Sequence, residues 1–205
     1  MPKNLIRKFI VLFIFLMMNA PVSRAQESEK AIFAGGCFWC MESAFEKNEI
    51  KGVTEVLSGF TDGSGENPTY KDYAEKGHVE VIEITYDPAQ VSYTGLLDIF
   101  WRQIDPTDAD GQFGDRGRQY RPAVFYLTEE QKTLAEQSKQ KLHQAGIYPR
   151  PLVTEITKAS KFYKAEEYHQ DYHKKHPVKY KFFRFSSGRD KYLKKIWGDA
   201  DDKKA

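Results

Sequence analysis

The chain has 205 residues, 40% of them hydrophobic, enough for one ordinary domain with its own core. Charged residues make up 29%, yet the formal net charge is only +2 and the two signs alternate throughout, so no strong field invites nucleic acid.

Lys3, Arg7 and Lys8 lead into an apolar run, Phe9 to Met18, and Ser23 and Ala25 are small residues two apart. This is a secretory leader pattern over residues 1–25, cut after Ala25, and it predicts an exported protein, periplasmic or secreted. An uncut anchor is the other reading, but the run is shorter than the ~20 residues a spanning helix needs. Residues 26–185 are expected to form one catalytic domain and 186–205 a charged C-terminal tail. Ala31 to Ala34 reads as a short buried strand broken by Gly35-Gly36, and Phe38, Met41, Ala44 and Phe45 mark one face of a helix from about Phe38 to Lys47. Strands are predicted at Gly52 to Phe60 and His78 to Tyr86, then a helix from Tyr93 to Ile104. A glycine-bearing polar loop, Asp105 to Gln119, has the length of loops that carry function. A strand at Pro122 to Leu127 precedes a helix opened by the capping pattern Thr128-x-x-Gln131 and ending near Gly146. Leu152 to Thr157 reads as a strand and Ala165 to Lys175 as a helix. The expected class is α+β: a two-layer sandwich with a mostly antiparallel or mixed sheet flanked by helices, on a ferredoxin-like core.

Only two cysteines are present, Cys37 and Cys40. A pair spaced this closely closes almost no loop, so it is a poor staple, and its value must lie in chemistry. Cys37 falls where a strand turns into a helix, and a thiolate at a helix start gains roughly 0.3–2 kcal/mol. That makes it a nucleophile needing a second group to activate its electrophile. Residues three apart in a helix have Cβ atoms about 5–6 Å apart, wider than a disulfide prefers, so Cys37 is expected in the turn and any bond to Cys40 is expected to be reducible. An inert buried pair is the bland alternative. Phe38 and Trp39 suit either a pocket for an S-methyl group or plain core. Glu80, between Val79 and Val81, is either a carboxyl held among apolar neighbours with a raised pKa or a solvent-facing strand residue paired with a lysine.

The run from Gly35 through Cys37-Phe38-Trp39-Cys40 to Glu46 resembles the signature of the A-type peptide methionine sulfoxide reductases. The likeness continues through Asn67 to Tyr70, Gly77 to Val81, Tyr86 to Pro88, Gly114-Asp115, Gln119 to Arg121 and Ala165 to Gln170. It covers roughly residues 31–181. The resemblance implies Cys37 as the nucleophile and Glu80 as the acid. It further implies Tyr70 and Tyr120 as hydrogen-bonding partners of the sulfoxide oxygen and its neighbouring carboxyl, Asp115 as a pocket carboxylate, and Phe38 and Trp39 as the methyl cage. Core for Tyr120 and turn chemistry for Asp115 are the alternatives. It implies reduction of methionine S-sulfoxide, free or in proteins, through a sulfenic acid on Cys37. No cofactor or metal is expected. An external thioredoxin-like dithiol, a monomeric chain and a role in repairing oxidised exported proteins are. Many members have glycine where Cys40 stands and keep resolving cysteines near the C-terminus; this chain has none there, so Cys40 is the expected resolving thiol.

Two rivals remain in view. A thioredoxin-like exchanger also places C-x-x-C at a helix start but needs a βαβ lead-in. A zinc module would use Cys37, Cys40, His169 and His173, although the pairs lie over a hundred residues apart, unlike common zinc spacings.

Overall fold

A computed structural model describes residues 27–46 and 50–198; the expected leader lies outside them, as does the end of the expected tail. Strand β1 (Glu29–Ala34) sits inside a six-stranded sheet, and its last four residues are all buried. A strand covered on both faces gives up alternation for a continuous apolar run, which is what made it legible. Helix α1 (Phe38–Glu46) follows, then β2 (Val53–Thr61), β3 (Val79–Tyr86) and α2 (Tyr93–Trp101). After a long loop holding the two-residue strands β4 (Gly111–Gln112) and β5 (Asp115–Arg116) come β6 (Ala123–Tyr126), α3 (Glu129–Gln144), β7 (Glu155–Lys158) and β8 (Tyr163–Lys164).

The sheet order is β7-β6-β1-β3-β2-β8. Its middle four strands, with α1 and α2 as crossovers, form the βαββαβ pattern of a ferredoxin-like core, and all of their pairings are antiparallel. β7 adds to β6 in parallel and β8 to β2 antiparallel, so the sheet is mixed. Phe33, Ile82, Ile84 and Val124 meet Phe38, Met41, Phe45 and Phe100 on the helical face. Ile32, Val79, Val81 and Phe125 form a second apolar cluster, with Ala159 and Phe162 laid against it.

The Thr128 hydroxyl caps α3 by accepting from Gln131 N at 3.1 Å. Gln131 reaches back one residue further than the usual box, accepting from Leu127 N, and its amide donates to the Lys30 carbonyl, tying the helix start to β1.

Three expectations need correction. The helix expected at Ala165 to Lys175 is only α4 (Tyr172–Lys175). Upstream of it, the Gln170 side chain docks on both backbone groups of Ser58, and Asp171 takes φ 54°, which ends any helix arriving from Ala165. The strand expected from Leu152 begins at Glu155, because Val153 N and Thr154 N are drawn to the Pro106 carbonyl. The domain boundary expected at 185 falls inside α5 (Pro177–Ser187), and the charged tail expected behind it is α6 (Arg189–Trp197) as far as the helix is described. Arg189 on that helix is fully buried.

Register brings the functional residues together. Phe33 pairs with Ile82 and Ala34 with Ala123. Continued beyond the strand ends, these pairings place Glu80 and Tyr120 beside the turn from Gly35 to Cys37. Glu80 follows the alternation of Ile82 and Ile84, so it faces the helical layer.

Candidate active site

Cys37 sits in the turn, one residue before α1, and its carbonyl accepts from Cys40 N at 3.0 Å and Met41 N at 3.3 Å. Gly36 has φ +78°, and a Cβ there would lie 2.6 Å from Gln112 Cβ, so both backbone shape and space require glycine. The Gly35 carbonyl accepts from Arg189 Nη2 at 2.7 Å, which anchors the turn to α6.

Every residue put forward from the sequence for catalysis or substrate binding except Cys40 lines one cavity of about 140 Å³. Phe183, on α5, is the addition. Cys37 is 5% exposed, at the wall of that cavity, while Cys40 is fully buried behind it. Both thiols are free.

Glu80 is 1% exposed and is not a solvent-facing strand residue. Its Oε2 accepts from Phe38 N at 3.0 Å and its Oε1 from the Tyr73 hydroxyl at 2.9 Å. Burial pushes its pKa up to about 8 against these two hydrogen bonds, so the carboxyl holds a proton at neutral pH. The Tyr120 hydroxyl lies 3.4 Å from that of Tyr73; burial and the nearby Glu80 carboxyl raise Tyr120 to about 12. Asp115, on β5, is raised by burial, with Arg189 opposing. Tyr70 is raised by burial and by Glu80.

At the thiol pair, other groups oppose the help that the helix start gives to a Cys37 thiolate. Burial, the hydrogen bond to Cys40 and the carboxyls of Glu80 and Asp115 all push the Cys37 thiol up. Cys40 accepts that hydrogen bond, has Arg189 and Arg184 nearby, and falls to about 6. The two thiols are coupled and titrate as a unit, so the first proton is lost from the pair rather than from either sulfur alone. The helix start contributes less than expected because its first N–H, that of Phe38, is committed to Glu80.

Trp39 stacks on Tyr172 at 3.8 Å and 7°, and its Nε1 donates to His169 Nδ1 at 3.1 Å. His173 Nε2 lies 3.5 Å from the Glu46 carboxyl. With these engagements, and with no group of three or more His, Cys, Asp or Glu side chains arranged for a metal among the described residues, the zinc alternative has no donor set there. Sequence reasoning missed Tyr73, Phe183 and Arg189, and it met His169 only as a ligand candidate. Tyr73 lies three residues after Tyr70, a spacing that could have drawn notice; Arg189 lay inside a run of charge and gave no signal.

The model of the family described as peptide methionine sulfoxide reductase matches residues 29–201. A peptide methionine sulfoxide reductase MsrA from Bacillus licheniformis is 51% identical over 180 residues, spanning 87% of this chain and 98% of the relative. Among solved structures, Mxr1 from Saccharomyces cerevisiae in reduced form superposes with a TM-score of 0.70 at 28% identity, covering 74% of this chain and 87% of that one. Mxr1 has also been solved in complex with Trx2; that chain superposes at TM-score 0.53 and 21% identity, covering 75% and 90%.

Proposed function

The chain belongs to the peptide methionine sulfoxide reductase family and is an oxidoreductase acting on methionine sulfoxide; from that premise we propose that Cys37 is its nucleophile, Glu80 its acid and Cys40 its resolving thiol. The observation that carries this reading is a buried carboxyl, held by Phe38 N and the Tyr73 hydroxyl and raised by burial, that shares one small cavity with the Cys37 thiol.

The S-methyl group of the substrate lies against Phe38 and Trp39, and its oxygen points to Glu80 and the hydroxyls of Tyr70 and Tyr120, with Asp115 at the rim. The Cys37 sulfur bonds to the sulfoxide sulfur while the proton that the two thiols share stays with Cys40. Glu80 gives its proton to the sulfoxide oxygen. The S–O bond to methionine then breaks as the hydroxyl passes to the Cys37 sulfur, and the S–S bond of the adduct opens, releasing methionine and leaving Cys37 as a sulfenic acid. Cys40 attacks that sulfur, a disulfide forms, and the hydroxyl leaves as water with the Cys40 proton. A thioredoxin-like dithiol then reduces the disulfide by exchange and is itself oxidised. The yeast relative's complex with Trx2 supports this partner. The steps use two thiols and transferred protons, and call on no cofactor or metal. All the groups come from one chain, so a monomer suffices. Preference for the S epimer follows the family resemblance, and the leader pattern at residues 1–25 supports a role in repairing oxidised exported proteins.

Cys40→Ser tests the assignment. It is expected to make one methionine per chain, more slowly than wild type, and then stop with sulfenic acid on Cys37, seen by trapping and mass spectrometry. No methionine in the first turnover would show that Cys40 is not merely the resolving residue, repeated turnover with thioredoxin at the wild-type rate would remove it from that role, and activity surviving Cys37→Ser would remove the nucleophile.

A further inference from the structure

Residues 165–171 form an irregular strap between β8 and α4, and three of its side chains grip three different parts of the site. Glu166 Oε1 accepts from Tyr70 N at 3.0 Å. Gln170 holds both backbone groups of Ser58, at 2.9 Å each. His169, 1% exposed, accepts the Trp39 indole N–H. Its ring also lies 5.0 Å from that of Phe38 and 4.3 Å from that of Tyr70.

An indole nitrogen can only donate, so His169 Nδ1 carries no proton and the ring hydrogen sits on Nε2. That Nε2 is buried without a partner, which is a cost to the fold. A phenylalanine would fill the same space without that cost. What histidine adds is the acceptor for Trp39. Burial lowers the affinity of the ring for a second proton, outweighing the nearby Glu166 carboxylate, so the acceptor persists in ordinary buffer.

We propose that His169 is a positioning residue: by accepting the Trp39 N–H it fixes the indole as the apolar wall against the substrate's S-methyl group and so sets affinity for the sulfoxide. This rests on reading Phe38 and Trp39 as the methyl cage. With Tyr172 stacked on its face and His169 on its nitrogen, the indole is held from two sides.

The test compares His169→Phe, His169→Gln and His169→Asn with Trp39→Ala, using N-acetyl methionine S-sulfoxide and dithiothreitol. His169→Phe keeps a ring but loses the acceptor. It is expected to raise KM by about 10- to 30-fold, the scale of one misplaced apolar contact, with kcat within about threefold. Asparagine puts its oxygen near the position of Nδ1 and is expected to restore KM to within about threefold of wild type. Glutamine puts its oxygen nearer Nε2 and is expected to fail as phenylalanine does, which keeps the test usable if His169→Phe does not fold. Wild-type KM in His169→Phe, or equal defects in the asparagine and glutamine variants, would overturn the proposal while leaving the cage reading intact. Wild-type KM in Trp39→Ala would overturn the cage reading, and this proposal with it.

Discussion

Two carboxyls flank α1, and their regions behave differently despite near-equal acidity. Glu80 lies against the start of the helix and Glu42 within it; both are buried, and burial raises each to about 8. Glu80 receives two well-formed hydrogen bonds and faces the cavity that holds Cys37. Glu42 has neither oxygen properly paired: Asp171 N–H and the Ser58 hydroxyl steady it without reaching good geometry. A raised pKa therefore marks burial. It marks a site when donors aim the group and a cavity gives it something to act on.

Glu80→Gln is the sharpest way to break this pairing. The amide oxygen can still accept from Phe38 N while its NH2 turns to the Tyr73 hydroxyl as a donor, but it has no acidic proton to give, so first-turnover methionine formation should fall by about 100-fold or more. In wild type the same rate should decline as pH passes about 8 and Glu80 ionises, and rapid quench across pH should show that limb missing in the variant. A surviving limb would assign it to another group. Tyr73→Phe comes next. Its hydroxyl steadies the ionised carboxylate, so losing it raises Glu80 further and moves the alkaline limb upward, with less than about a tenfold change in rate. An unmoved limb would mean that the bond does not tune Glu80.

Glu42→Gln should have the smallest effect on catalysis, within about twofold. Its signature is stability. The folded chain keeps a proton that the unfolded chain releases above 4.5, so wild-type stability is fullest below that pH and declines as pH rises to about 8. The variant removes the decline. Thermal melts should coincide at low pH, and the variant should melt roughly 2–5 °C higher at pH 8. Coincident melts at every pH would show that Glu42 is better solvated than its burial implies.

Much of the layout was legible because it is local. The apolar runs of β1 and β3 announce central strands, the double glycine marks the turn, and Thr128-x-x-Gln131 starts α3. The site residues followed from ordered motifs, and register then brought them together. What escaped depended on distant partners. Ala165, His169 and His173 are spaced like one face of a helix, but docking of Gln170 on Ser58 prevails over that periodicity. Cys37 was expected to keep the helix-start donors, yet a carboxyl 42 residues away takes the first. Arg189 reads as solvent-facing charge, and its burial depends on distant partners, the carbonyls of Gly35 and Gln103 and the Phe113 ring.

That last contact has a consequence for the making of the protein. The Gly35 carbonyl and the guanidinium that braces it are 154 residues apart, at nearly opposite ends of the described chain. Synthesis runs from the N-terminus, so the two sulfurs exist long before their keystone. A nascent or clipped molecule ending ahead of α6 would lack the guanidinium that steadies the turn leading into Cys37.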